Sequence, residues 1–198
     1  KLSGTVFGKV NSLKIPKLDF EFGDKIKFTG NFASRNLAKF GEEILNIKAD
    51  KFQSSIKNLQ DIFPGFKVPT NLVNIGNFTF SGNFDGYIGD FVSYGKFTTD
   101  LGIANTDINL NFRNGNTKAT YSGALELVDF ELGTIIGIPD LKQVNLKTVL
   151  RNGVGLTWES LNADLTANLE SAVFKNNVYR NLNFNGNFNN SLLDGKLK

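Results

Sequence analysis

Apolar and polar residues alternate with a period of two through most of this chain, and this pattern constrains the fold more than any other feature. Alternation of this kind predicts β-strands with one dry and one wet face. The run from Leu182 to Phe188 is the clearest, because Asn fills every position between its apolar residues and glycine. Further runs lie at 18–22, 26–32, 78–84, 108–112, 119–127 and 161–169. We therefore expect an all-β, mostly antiparallel fold.

Two Asn-Gly pairs predict tight turns between these strands. Asn114-Gly115 lies between two alternating runs, a strong signal for a two-residue hairpin. Such a turn pairs Leu110 with Ala119 and keeps the apolar residues of both strands on one face. Asn152-Gly153 is a further hairpin candidate with a less regular register.

The turn near Gly23 requires a longer loop. A two-residue loop at Gly23-Asp24 would place Phe20 opposite the charged Lys27. A three-residue loop from Gly23 to Lys25 instead pairs Phe20 with Phe28, which keeps the apolar faces together. The sequence therefore predicts the longer loop, with a bulge.

Few residues carry a helical pattern. Apolar spacing predicts a helix from Ser54 to Phe63, with a serine at its start as the cap and Pro64 as the stop. A shorter helical turn is expected from Thr70 to Asn74, after Pro69. The stretch from Ala33 to Phe40 fits either a helix or a loop.

The motif Phe-x-Gly-Asn-Phe occurs three times, beginning at Phe28, Phe80 and Phe184. The second interval in sequence is twice the first. This spacing fits a structural repeat, although short Phe, Gly and Asn motifs also recur by chance in such a composition.

Composition removes most catalytic chemistry. The chain has neither His nor Cys, which excludes catalytic triads with histidine, cysteine nucleophiles and nearly all zinc sites. Acidic pairs do occur, but nothing in the sequence holds two carboxylates across a cleft, so they are expected in solvated turns. These pairs are Asp85 with Asp90, Glu42 with Glu43, and Asp129 with Glu131. We expect a protein that is not an enzyme and has no cofactor or metal.

The charge pattern does not favour nucleic acid. The net charge is +3, and the lysines are dispersed without a dense basic block. Nineteen phenylalanines dominate the aromatic residues, and phenyl rings offer apolar area without a hydrogen-bonding group. Trp158 is expected to pack rather than bind sugar. Because the chain lacks Met and begins at Lys1, we expect it to be a segment of a longer polypeptide.

The apolar face itself has two interpretations. It is either the interior of a closed sandwich or barrel, or the lining of a groove left open for an apolar ligand. The small number of helical residues leaves little to cover so many amphipathic strands. An open groove therefore remains one of the two interpretations.

A series of short motifs follows in order from about Ser54 to the end of the chain. The series comprises Asp61-Ile-Phe-Pro64, Gly76-Asn-Phe-Thr-Phe-Ser-Gly-Asn-Phe84, Asp90-Phe91, Gly95-Lys-Phe-Thr-Thr-Asp-Leu-Gly102, Asp107-Ile-Asn-Leu110, Tyr121-Ser-Gly123, Phe130-Glu-Leu-Gly133, Gly153-Val-Gly155, Val178-Tyr-Arg-Asn-Leu182 and Gly186-Asn-Phe188. In order and spacing, this series resembles the C-terminal region of TamB-like proteins of the AsmA-like superfamily, as found in Bacteroidetes. Each motif is weak alone, and the first 50 or so residues match only in their β pattern.

The resemblance implies an elongated, curved antiparallel sheet, folded as a taco or trough with an apolar interior and one or two short helices. It divides one continuous domain into a β-segment at 1–53, a helical and turn insert at 54–75, and a C-terminal β-region at 76–198. It also implies a bridge across the periplasm of Gram-negative bacteria that carries phospholipid and supports outer-membrane biogenesis. The implied partners are phospholipid, a TamA- or BamA-type outer-membrane barrel, and an inner-membrane anchor outside this segment.

Two other functions stay open from the sequence. One is a periplasmic chaperone or assembly module for outer-membrane proteins, and the other is a closed structural or adhesive β-domain. Under the phospholipid interpretation, the alternating apolar residues line the groove. The candidate lining residues are Phe20, Phe22, Phe28, Phe32, Phe78, Phe80, Phe84, Phe97, Ile108, Leu110, Phe112, Tyr121, Leu125, Leu127, Leu165, Leu169, Leu182, Phe184 and Phe188.

Overall fold

The chain is all-β, with 68% of the residues that the structure describes in strands and 11% in helices. A computed structural model describes residues 1–9, 11–37, 39, 41–62, 70–157, 160–189 and 192–198. The strands in this part of the chain are β1 Leu2–Ser3, β2 Phe7–Lys9, β3 Ser12–Phe22, β4 Ile26–Arg35, β5 Ile44–Ser55, β6 Asn77–Tyr87, β7 Asp90–Thr99, β8 Gly102–Asn111, β9 Thr120–Phe130, β10 Leu141–Val154, β11 Asn162–Phe174, β12 Asn177–Asn189 and β13 Leu192–Leu197. The helices are α1 Ile56–Ile62, α2 Leu132–Ile136, and the 3-10 helices Thr70–Ile75 and Asn116–Lys118.

All thirteen described strands belong to one antiparallel sheet. From β3 to β13 each strand pairs with its neighbours in sequence, while β1 and β2 both pair with β3. The sheet is open and is not closed into a barrel. The solvent-accessible surface of the chain is 12167 Å², against about 9,300 Å² for a compact monomer of this mass. This surplus fits a sheet whose faces are largely left without a second layer.

The loop at Gly23 has the predicted register. Phe20 lies opposite Phe28, and Phe22 lies opposite Ile26. The backbone N–H of Lys25 donates to the carbonyl of Phe22 at 3.1 Å and closes the turn. The prediction of a three-residue loop is confirmed.

The register predicted for the turn at Asn114-Gly115 is wrong by two residues. Leu110 pairs with Tyr121 rather than Ala119, because β8 ends at Asn111 and a 3-10 helix lengthens the loop. Since a two-residue shift preserves the alternation, Leu110 and Tyr121 still share a face.

The third hairpin candidate is not a hairpin. Asn152 has a positive φ of 52° and forms a bulge within β10, between Leu150 and Gly153 in the pairing with β9. Its side-chain amide donates to Asp164 Oδ2 at 2.6 Å. This hydrogen bond is the main cause that lowers the pKa of Asp164, and a second hydrogen bond, from Asn187, lowers it further.

The helical segments agree with the sequence pattern where they are described. The Oγ of Ser55 accepts the backbone N–H of Asn58 at 3.1 Å, so Ser55 caps α1. The predicted end of this helix at Phe63 and Pro64 lies outside the described residues, as does Trp158. Ala33 to Arg35 belong to β4, which leaves the rest of the ambiguous stretch outside any helix where it is described. The sequence pattern did not predict α2.

Candidate functional site

One face of the sheet carries the apolar residues of successive strands in aligned rows. Directly opposed residues in an antiparallel sheet project to the same side, so the pairing register shows which residues share this face. We call it the apolar face. One of its rows consists of Phe20, Phe28, Phe52, Phe80, Phe97, Ala104, Leu127, Leu146, Leu169 and Leu182. Rows of this kind cross the sheet from β3 to β12.

Aromatic contacts hold the first half of this row together. The ring of Phe80 lies 4.5 Å from the ring of Phe97, centroid to centroid. Phe52 meets Phe28 at 6.3 Å and Phe78 at 5.6 Å, both edge to face. Each such pair contributes about 0.5–1.5 kcal/mol beyond the area that it buries. The phenylalanines therefore bind four adjacent strands to one another.

The recurring Phe-x-Gly motif has a local explanation on this face. A methyl group added at Gly82 would lie 2.8 Å from Cζ of Phe80, so the ring lies over the glycine. The same ring covers Gly95, which is the cross-strand partner of Gly82. Phe184 covers Gly186 in the same way. An aromatic ring shields a glycine backbone that has no side chain of its own.

The motif does not mark a long structural period. Its copies lie in β4, β6 and β12, so the first interval spans two strands and the second spans six. The second interval is twice as long in sequence as the first. If a fixed repeat unit caused the recurrence, the second interval would therefore span four strands rather than six. In the copies that begin at Phe80 and Phe184 the motif is a local packing motif, whereas Gly30 in the first copy lies against the backbone of Lys48 and Ala49.

The structure places the candidate lining residues on the apolar face by register, with one exception. Phe112 lies beyond the end of β8, but its ring contacts Phe91 at 6.4 Å, and Phe91 pairs with Leu110. Phe22 is 53% exposed at one rim, so it lines the face only at its margin. Tyr121 packs over Gly153, and burial raises the pKa of its hydroxyl.

Several residues of the apolar face are missing from the sequence-based set. Phe52 was missed because a bulge near Asp50 shifts the alternation within β5. Leu146 and Leu150 were missed because bulges at Gln143 and Asn152 interrupt β10. Their positions follow from pairing with neighbouring strands, which a period-two search along one strand does not show.

The hydroxyl groups on this face are turned towards the backbone. Ser93 donates to the carbonyl of Asn83 at 3.0 Å, and Thr148 donates to that of Thr166 at 3.1 Å. Thr106 makes a longer bond, 3.4 Å, to the carbonyl of Gly95. The hydroxyl groups of these three side chains are therefore already bonded and add little free hydrogen-bonding capacity to the surface.

Within the described ranges, helices cover the apolar face along one rim, where α1 lies. Ile56 and Leu59 of α1 pack against the buried cluster of Ala49, Phe78 and Phe80. The 3-10 helix at Thr70–Ile75 continues this cover towards α2, where Asn71 Nδ2 donates to the carbonyl of Ile135 at 3.0 Å. Side chains further across the face are only half-buried. Examples are Phe84, Phe91, Leu110, Leu125, Leu165 and Phe184.

The opposite face is polar and contains a shallow cavity of about 720 Å³ over β8 to β13. Its central residue is Lys147, which pairs with Glu170 at 2.5 Å and with Glu126 at 3.5 Å. The hydrogen bond to Glu170 is the main cause that raises the pKa of Lys147. A hydrogen bond from Asn105, followed by Lys147, lowers the pKa of Glu126. The charged groups at the centre of this cavity are therefore paired with one another, and its lining also includes residues of the apolar face such as Leu125 and Phe184.

The acidic pairs singled out in the sequence serve local structure. Asp85 accepts a hydrogen bond from the side chain of Asn46, and buried Glu43 accepts one from the backbone of Gly41. Asp129 has a positive φ and bonds to Asn145 at 3.1 Å. Among the described residues, no group of three or more acidic side chains is arranged to hold a metal ion.

Comparison with known proteins identifies no relative. No family model, curated protein or solved structure matches the chain. Within the described ranges, no helix combines the length and apolar character needed to cross a bilayer.

Proposed function

We propose that this chain is a segment of a periplasm-spanning bridge protein that shields phospholipid acyl chains on its apolar face between the inner and outer membranes. The observation that carries the proposal is an apolar face that runs across the open sheet and that the described helices cover along one rim. Proteins rarely leave so large an apolar surface without a ligand or partner. In the proposed assembly, an anchor in the inner membrane and an outer-membrane barrel of the TamA or BamA type lie at the two ends.

The chemistry of the face suits acyl chains. Each CH₂ group removed from water contributes about 0.8 kcal/mol, without any directional requirement. Because Ser93, Thr106 and Thr148 bond to backbone carbonyls, the face offers few fixed anchors that would hold a lipid in one place. Weak and similar contacts along the rows favour sliding. The segment acts as a passive surface, and energy for directed movement comes from elsewhere.

The alternative of a closed structural domain conflicts with the open sheet. The alternative of a chaperone module predicts contacts with unfolded outer-membrane proteins rather than with lipid. One experiment separates these two ligands, because crosslinked lipid and crosslinked polypeptide differ in mass.

The test uses photo-crosslinking residues at Phe184 and, as a matched control, at Asn185 in the full-length protein in cells. These neighbours project to opposite faces of β12. We expect phospholipid adducts from position 184 and few from position 185. Equal labelling from both positions, labelling from neither, or adducts made of polypeptide would refute the proposal.

A charge on the apolar face provides a second test. Phe184→Arg places the guanidinium on a half-buried, open part of the face, where it reaches water. Phe78 is 6% exposed beneath α1, so Phe78→Arg buries an unpaired charge. We expect the first variant to fold but fail to support lipid transfer, and the second to unfold. If Phe184→Arg folds and transfers lipid normally, this part of the face does not carry lipid.

A further inference from the structure

The cavity around Lys147 opens on the polar face, opposite the apolar face. Each strand from β8 to β12 contributes three consecutive residues to its lining, whereas β13 contributes Lys196 and Lys198 without Leu197. Because side chains alternate between the two faces, the outer residues of each triplet project into the cavity and the middle residue contributes its backbone. Six adjacent strands span about 24 Å, so the cavity is long enough for an extended ligand.

Short side chains form the floor of this cavity. Asp107, Ala124, Val149, Thr166 and Asn185 lie opposite one another on successive strands and form one row. The three central residues of this row are short, and all three are exposed. The middle of the cavity therefore presents methyl groups at the bottom of an otherwise polar surface.

Amide side chains line the adjacent row. Asn105 donates to Glu126 at 2.9 Å, and Asn168 donates to Asn183 at 2.7 Å. Asn185, in the floor row, makes no side-chain hydrogen bond with any residue that the structure describes. Since a primary amide carries two donors and an acceptor, even the bonded amides keep groups free for a ligand.

The charges of the cavity are nearly balanced. Lys147 is held by Glu126 at 3.5 Å and by Glu170 at 2.5 Å. The other charged groups of the lining are separated, with Asp107 on β8 and two lysines on β13. A polyanion would meet the carboxylates, and a polycation would meet the lysines. The cavity therefore suits an uncharged ligand that is rich in hydrogen-bonding groups.

An exposed aromatic ring lies directly beside the cavity. Tyr94 is 49% exposed and is the cross-strand partner of Asp107. Opposed residues have Cβ atoms about 4.5–5.5 Å apart, so the ring lies next to the carboxylate. The side-chain amide of Asn83 donates to the hydroxyl of Tyr94. A ring of this kind packs against the C–H groups of a sugar, while the neighbouring carboxylate and amides bind its hydroxyls.

We propose that this cavity, together with Tyr94, binds a neutral oligosaccharide. One sugar unit stacks on Tyr94, and the following units lie over Ala124 and Val149, where the adjacent amides bind their hydroxyl and N-acetyl groups. The site lies on the face opposite the apolar face, so the inference does not depend on whether the apolar face binds lipid. Because the cavity is shallow, we expect a dissociation constant of about 0.1–1 mM.

Isothermal titration calorimetry of the purified full-length protein with chitohexaose, an uncharged hexamer of N-acetylglucosamine, tests the ligand class. We expect binding with a dissociation constant below about 1 mM. A heparin-derived hexasaccharide has the same number of sugar units but is a polyanion, and it should bind more weakly. Absence of chitohexaose binding in this range, or heparin binding that is as tight or tighter, would overturn the proposal.

Substitutions test the location. Tyr94→Ala removes the ring and Ala124→Trp fills the floor, so each should weaken chitohexaose binding by about tenfold. The matched controls are Tyr179→Ala and Ser122→Trp, since both positions are exposed and lie outside the cavity lining. The controls should keep the affinity to within about threefold. Circular dichroism checks that each variant is folded. Binding that ignores both cavity substitutions, or that the controls weaken equally, would place the sugar elsewhere and refute this site.

Discussion

Truncation of Phe80 tests the packing of the apolar face most directly. Its ring is 7% exposed, lies 4.5 Å from the ring of Phe97, and covers Gly82 and Gly95. The Phe80→Ala substitution removes roughly 120–150 Å² of buried apolar area, or about 3–4 kcal/mol at about 25 cal/mol per Å². The cavity adds to this cost, but neighbouring rings such as Phe97 can move into it and offset part of it. We expect a loss of about 3 kcal/mol.

Urea unfolding followed by circular dichroism measures this loss. With a denaturant slope of about 2 kcal/mol per M, the midpoint should fall by about 1.5 M. Phe22→Ala is the matched control, because this ring is 53% exposed and should lose about half as much free energy. Phe80→Leu keeps apolar volume without a ring over the glycines, so it should lie between Phe80→Ala and the unsubstituted protein.

Two outcomes would refute the reasoning. Equal losses for Phe80→Ala and Phe22→Ala would mean that burial on the apolar face does not differ between the part under α1 and the exposed margin at Phe22. A loss below about 1 kcal/mol for Phe80→Ala would mean that the ring is not packed in solution.

Three further predictions concern the cap, a glycine and a carboxylate. Ser55→Ala should lower the free energy of unfolding by about 1 kcal/mol through loss of the α1 cap, measured by urea unfolding with Ser55→Thr as the control. Gly82→Ala should destabilise the sheet more than Ser55→Ala does, because the added Cβ would lie 2.6 Å from Cα of Gly95, and an equal or smaller loss would contradict the close packing. Asn105→Ala should raise the pKa of Glu126 towards 4.5, followed by NMR titration of the carboxyl group; an unchanged pKa would show that the bond is absent in solution. The pKa of Glu126 is lower in the folded state than in the unfolded state. Its small contribution to stability is therefore present above the unfolded-state pKa and is lost as the pH falls through the folded-state pKa.

Local features explain which parts of the fold the sequence determined by itself. Alternation along single strands was enough to predict the all-β class and the shared face of Phe184 and Phe188, because side-chain direction follows from strand geometry alone. The loop from Gly23 to Lys25 was also predictable, since only one loop length kept Phe20 away from Lys27. The α1 helix followed from its apolar spacing and its serine cap.

The tertiary structure decided what alternation leaves undetermined. A two-residue shift leaves every side chain on the same face, so the pattern could not distinguish the pairing of Leu110 with Tyr121 from that with Ala119. The Asn152-Gly153 pair has the sequence of a tight turn but forms a bulge. Pairing with β9 and β11 keeps β10 continuous through it.

The sequence pattern also could not show whether the sheet is open or closed. A closed barrel and an open sheet need the same alternation, because both present one apolar face to something other than water. The difference depends on whether the first and last strands meet, which is a long-range property of twist and register. Among the described strands they do not meet, and side chains such as Phe184 are left half-buried.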